Sequence, residues 1–186
     1  NAVAQKTLAV MDRQGSLKPL GLPPGTYSHP RISPNGKQIV FYTGDGRERV
    51  VWIYDLDGKT SERPLTHAGR NAFPIWSADG QRIVFQSERE NDFGLFWQRA
   101  DGTGVAERVT KPDGKWGIHY AAAWATDGQT LLFTAFTNNR DSSIWTYSLR
   151  DKKTSLLIDD PSMQSYSAFS PDGRWVAYQS NESGRY

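Results

Sequence analysis

Four stretches of this chain repeat one pattern in register, and no other feature constrains the fold as much. They are Ser33-Pro34-Asn35-Gly36-Lys37, Ser77-Ala78-Asp79-Gly80-Gln81, Ala125-Thr126-Asp127-Gly128-Gln129 and Ser170-Pro171-Asp172-Gly173-Arg174. The glycines at 36, 80, 128 and 173 give periods of 44, 48 and 45 residues. A period of that length marks a repeat architecture in which each repeat is one supersecondary unit. Each Asn-Gly or Asp-Gly pair predicts a tight hairpin turn, with both central residues expected at positive φ.

After every turn comes a strand: Ile39-Val40-Phe41, Ile83-Val84-Phe85, Leu131-Leu132-Phe133 and Val176-Ala177-Tyr178. An aliphatic and an aromatic two residues apart share one face of a strand. Before each turn another strand ends on an apolar residue, at Ile32, Trp76, Trp124 and Phe169. A third strand follows a polar loop at Val50–Tyr54, Gly94–Gln98 and Ser143–Tyr147. A short fourth strand ends near Leu65-Thr66, Val109-Thr110 and Leu157-Ile158. Four short antiparallel strands per period spell a propeller blade, so the expected fold is all-β with about four blade equivalents.

The run Ser-Pro-Asp-Gly, Ile-Val-Phe, Ile-Trp-x-x-Asp, Asp-Gly, Leu-Thr resembles the TolB-type, WD-like propeller repeat, and the resemblance covers essentially the whole chain. It implies a non-catalytic scaffold that binds a protein, a peptide or another ligand. The same repeat also precedes the catalytic domains of prolyl-oligopeptidase-like peptidases and accompanies bacterial kinase domains, which gives the alternative of a propeller domain in a larger enzyme or kinase-linked sensor. The stretch Leu8–Gly15 and the Pro23-Pro24-Gly25 that follows are similar to the arrays attached to such kinases. By family likeness the expected location is periplasmic or otherwise extracytoplasmic.

Laid on the chain, the repeat assigns residues 1–25 to the third and fourth strands of a blade. Whole blades follow at 26–69, 70–115 and 116–160, and residues 161–186 supply the first and second strands of another. Half blades leave unpaired strand edges, which invite pairing. The expectation is either a larger parent protein or a homodimer that exchanges halves to close an eight-bladed ring.

Composition narrows the chemistry. Twenty-two Lys and Arg against 20 Asp and Glu give a net charge of +2 over 186 residues, which offers no basis for nucleic-acid binding. No apolar run approaches the roughly 20 residues of a membrane-spanning helix, so no membrane insertion is expected. Cysteine is absent, which removes disulfides, thiolate ligands and cysteine nucleophiles. His29, His67 and His119 show no metal-binding spacing, and Asp55-x-Asp57-Gly58 lacks the remaining ligands of a calcium loop. No Gly-x-Ser-x-Gly elbow occurs. Neither a cofactor nor a metal is expected.

The candidate binding surface is therefore the loop face and the channel mouth, where a rigid scaffold presents variable loops. His29 and His119 fall in first strands, which line the channel. Arg47, Arg89 and Arg140 fall in the loops joining second to third strands. Trp116 and Tyr120, with His119, occupy a long polar segment at 111–120, where exposed aromatics would offer ligand contacts.

Overall fold

A computed structural model describes residues 4–67, 69–89, 92–114, 116–137, 141–158, 160 and 162–183, with the Trp116 side chain and Arg140 outside that set. Its four repeat turns share one bonding scheme. Gly36, Gly80, Gly128 and Gly173 each donate an amide to the carbonyl three residues earlier, at 2.9 Å in every copy. Within each of these turns only the glycine carries positive φ, between 66° and 71°. The preceding Asn or Asp does not, contrary to the sequence expectation. The turn is type I, with Pro or a small residue at its second position and glycine at its fourth.

Side chains lock that geometry. The Ser33, Ser77 and Ser170 hydroxyls donate to Asn35, Asp79 and Asp172 at 2.8, 2.6 and 2.6 Å. Each then accepts an amide from the following strand, from Gln38, Arg82 or Trp175. The serine bond is the leading cause that holds the Asp79 and Asp172 carboxyls below the usual carboxylate range. Ala125 has no hydroxyl, so the third turn keeps only the Asp127 bond to the Gln129 amide, at 2.8 Å. The turns also nest. A Cβ built on Gly80 would lie 3.5 Å from Pro34 of the preceding turn, one on Gly128 3.6 Å from Ala78, and one on Gly173 3.5 Å from Thr126.

Sixteen strands are described, and no helix. β1 (Ala9–Met11) and β2 (Leu17–Pro19) form a two-stranded antiparallel sheet. β3 (Ser28–Ile32), β4 (Gln38–Gly44), β5 (Arg49–Asp55) and β6 (Arg63–Pro64) form a four-stranded one in that order. β7 (Asn71–Trp76), β8 (Arg82–Arg89), β9 (Asp92–Arg99) and β10 (Glu107–Arg108) repeat the antiparallel order. So do β11 (Trp116–Trp124), β12 (Thr130–Thr137), β13 (Ser142–Ser148) and β14 (Lys153–Ile158). One parallel pair, Ile118 opposite Phe93, ties the last two sets together. β15 (Gln164–Phe169) pairs with β16 (Val176–Ser180).

In the three four-stranded sets the second strand, β4, β8 or β12, carries the core on both of its faces. Ile39 and Phe41 pack with Leu20 and Tyr27, toward β1 and β2. The residues between and after them, Val40 and Tyr42, face the other way onto Ile83 and Phe85 of β8. Val84 in turn packs with Leu131 and Phe133 of β12. The sequence reading marked one apolar face per strand. Stacked sheets bury both, which is why the residue between the aliphatic and the aromatic is apolar too.

A second recurring device closes the outer strands. Thr66 Oγ1 accepts the Val51 amide and Thr110 Oγ1 accepts the Leu95 amide, both at 3.0 Å. The amides of Leu65 and Val109 answer with bonds to the Val51 and Leu95 carbonyls. This explains the Leu65-Thr66 and Val109-Thr110 pairs that end the first two whole periods.

Candidate functional site

The first strands β3, β7, β11 and β15 all break register at one place. Between Ser28 and Arg31, Ala72 and Ile75, Ala121 and Ala123, and Ser165 and Ala168, the pairing shifts. At each shift an extra residue stands opposite the aromatic of the second strand, a β-bulge that bends the strand and re-aims its side chains. Three of the four bulges hold a ring-bearing residue in the left-handed region: His29 at φ 51°, Phe73 at 54° and Tyr166 at 53°. Glycine is the residue suited to that backbone, and other residues are strained there by about 1–2 kcal/mol.

The bulges surround a cavity of about 850 Å³, lined by these three rings with Tyr120 and Phe136. The rings also touch in sequence. His29 meets Phe73 edge-on at 4.6 Å, Phe73 meets Tyr120 at 4.7 Å, and Tyr120 meets Phe136 at 5.4 Å. Such near-perpendicular pairs alternate a ring face with a ring edge, the favoured arrangement for aromatic neighbours. No Asp or Glu is among the described lining residues, and Arg31 is the one formal charge there. Burial, followed by the charges of Arg31, Lys6 and Arg49, pushes the His29 imidazole below its ordinary value.

The strain at Tyr166 is measurable, because its side chain is 83% exposed and contributes little packing. Tyr166→Gly is expected to raise the unfolding free energy by about 1 kcal/mol in urea titrations, through relief of the left-handed backbone.

The candidate residues separate on this geometry. His29 and Tyr120 line the cavity. His119 does not. It is 5% exposed, packs beside Phe133, and shares a 2.8 Å bond between its Nδ1 and Thr110 Oγ1. That threonine belongs to the closing device described above, so His119 braces two neighbouring sheets and is no contact at the mouth. The supposed loop 111–120 is strand from Trp116 onward, because β11 pairs with β12 along its length. Arg89 lies within β8, half-buried, with Nε donating to Ser87 Oγ at 3.0 Å and its guanidinium 4.8 Å from the Phe96 ring. Arg108 approaches the same ring at 4.6 Å and pairs with Asp92 at 2.8 Å. Arg47 is exposed in the loop between β4 and β5, apart from the cavity lining. Among the described residues, no group of three or more His, Asp or Glu converges in a way that would hold a metal ion.

The same architecture is found in solved structures. A putative TolB from Agrobacterium tumefaciens matches 91% of this chain with a TM-score of 0.75 at 18% identity, and this chain spans 59% of it. TolB from Acinetobacter baumannii matches 91% with a TM-score of 0.72, also at 18% identity, and this chain spans 42% of it. The chain folds as a TolB-like β-propeller. Each four-stranded set is thus a blade, and the first strands line the cavity. The tricorn protease also contains the arrangement, with a TM-score of 0.67 over 90% of this chain at 14% identity.

No family model matches the sequence. Among curated proteins, an uncharacterized peptidase of Bacillus subtilis, YuxL, is 22% identical over 194 residues, covering 82% of this chain and 29% of that protein. The uncharacterized protein Atu1656 of Agrobacterium fabrum is 37% identical over 106 residues, 56% of this chain and 34% of that protein. The chain thus spans about a third of the length of these relatives.

Proposed function

We propose that this propeller is a non-catalytic binding module that takes a ligand or peptide segment at the channel, between the bulges of its first strands. The observation that carries the reading is the cavity itself. The four first strands β3, β7, β11 and β15 are each distorted at one register position, and three hold a ring there in an unfavoured backbone. Strain of this kind clusters where a site must be held in shape. The cavity volume falls in the range of small-molecule sites, and its lining is largely apolar with a few polar groups. A location outside the cytoplasm belongs to the same proposal and rests on the TolB likeness.

Thermal-shift screening of small organic compounds and short peptides against the chain and its Tyr120→Ala variant tests the reading. Compounds that stabilise the parent chain and lose that effect in the variant support it. A broad library that yields no Tyr120-dependent compound overturns it.

A second reading has its own support, since the Bacillus relative is named a peptidase and the tricorn protease contains this architecture. In it the chain is the propeller domain of a larger peptidase, where the channel admits or positions substrate. A Gly-x-Ser-x-Gly strand–turn–helix elsewhere in the encoded protein would favour this reading, and further propeller repeats would favour the first.

A further inference from the structure

Resting on the channel reading above, we infer that the cavity takes a small carboxylate carried on a flat apolar ring. The ring lies among Phe73, Tyr120 and Tyr166, and the carboxylate turns toward Arg31.

Two observations give the ligand this chemistry. The first is the ring-lined wall. Phe73, Tyr120 and Phe136 alternate edge and face along it, while Tyr166 stands on the neighbouring first strand, β15, with most of its surface uncovered. A flat apolar body gains contact with such a wall in several orientations.

The second is charge. Arg31 lines the cavity, and among the described residues its side chain makes one hydrogen bond, from Nη1 to the Pro30 carbonyl at 3.0 Å, and pairs with no carboxylate. Lys6 and Arg49 lie close enough to act on His29, and Arg49 stacks 5.8 Å from the Tyr42 ring. The β3 end of the cavity is therefore cationic, and no Asp or Glu of the described lining neutralises it. An anion is favoured there and an amine opposed. Arginine offers a carboxylate a planar pair of donors.

Benzoate, benzyl alcohol and benzylammonium share one ring and differ in the charge of the head group, so their affinities for the full chain by titration NMR separate the terms. Benzoate is expected to bind about tenfold more tightly than benzyl alcohol, the scale of one charge-assisted hydrogen bond, with benzylammonium weakest. Arg31→Gln should bring benzoate down to the level of the alcohol. Tyr166→Ser should weaken all three. Both side chains are exposed, so unchanged unfolding midpoints will show that the fold is intact. The carboxylate assignment is overturned if benzylammonium binds as well as benzoate, if the head-group order survives Arg31→Gln, or if no probe binds. Equal binding of all three with loss in Tyr120→Ala would overturn the carboxylate and leave the channel reading standing. Binding indifferent to both tyrosines would overturn the two together.

Discussion

Phe85→Ala is expected to lower the unfolding free energy by about 3–5 kcal/mol, the largest effect of a single side-chain truncation in this chain. The Phe85 side chain is 0% exposed and packs with Val40, Tyr42, Val51, Ile53 and Leu65 of the preceding blade as well as with Ile83 and Phe96 of its own. Truncation therefore empties the joint between two blades and not the interior of one. The surrounding strands are fixed by ladder bonds on both sides, so the hole cannot collapse. Part of the cost is lost transfer energy and part is the residual cavity. Denaturant titration measures the total, and the slope carries the more telling result. Because blades bury their faces only against neighbours, the joint couples their unfolding. A weakened joint should lower the slope of the transition, as the array begins to open in two steps. A loss below about 1 kcal/mol would mean that the blades are not coupled through this ring.

Gly94→Ala is the second change of large expected effect, and its cause is contact with the backbone. A Cβ on Gly94 would stand 2.5 Å from the Thr110 carbonyl oxygen and 2.7 Å from Arg108 Nη1. The arginine can move. The carbonyl cannot move freely, because Thr110 is held by the Leu95 amide through Oγ1 and by its own amide to the Leu95 carbonyl. Relief requires β9 to part from the segment after β10, which loosens the closing device and the Arg108–Asp92 pair at 2.8 Å. Overpacking of this kind costs about 1–3 kcal/mol, and the loss of hydrogen bonds places Gly94→Ala at the upper end. The control is Gly104→Ala, where no atom lies within 4 Å but φ is 75°, so only backbone strain of about 1 kcal/mol is expected. Thermal or urea unfolding of the two variants should rank them in that order. Equal losses would refute the steric argument.

The propeller was legible because its determinants are local and repeated. Turn residues and strand alternation lie within a few residues of their partners, so four copies expose them by comparison. The type I geometry of the turns was misjudged because Asn-Gly and Asp-Gly also suit a two-residue hairpin. In three copies the serine two residues before the Asn or Asp ties both sides of the turn through its hydroxyl, and the Ala125 copy keeps the same geometry through the Asp127 bond and the Gly128 amide.

The site was less legible, for a physical reason. Adjacent residues of a strand point to opposite sides, so His119 and Tyr120, paired by sequence, serve a sheet joint and a cavity respectively. Phe73, Tyr166 and Arg31 went unmarked because a bulge is a property of two strands together, and no glycine announces the positive φ. A signal existed in register. His29, Phe73 and Tyr166 each stand seven residues before the turn glycine, and only the third copy has a small residue, Ala121, in that place.

The nested turns carry one more consequence. Gly80, Gly128 and Gly173 each rest on the second turn residue of the blade before, so every blade offers a socket on one side and fills one on the other. Matching surfaces of this kind make the repeat a unit of growth. Duplicating one period in the gene would reproduce the same two junctions at a new position, with no fresh packing problem to solve. Gains and losses in length should therefore be tolerated in whole multiples of a period, and a partial one would leave a plug with no seat. Blade number becomes a quantity that evolution can count up or down, while the ring-bearing bulge travels with each copy and resizes the channel as it goes.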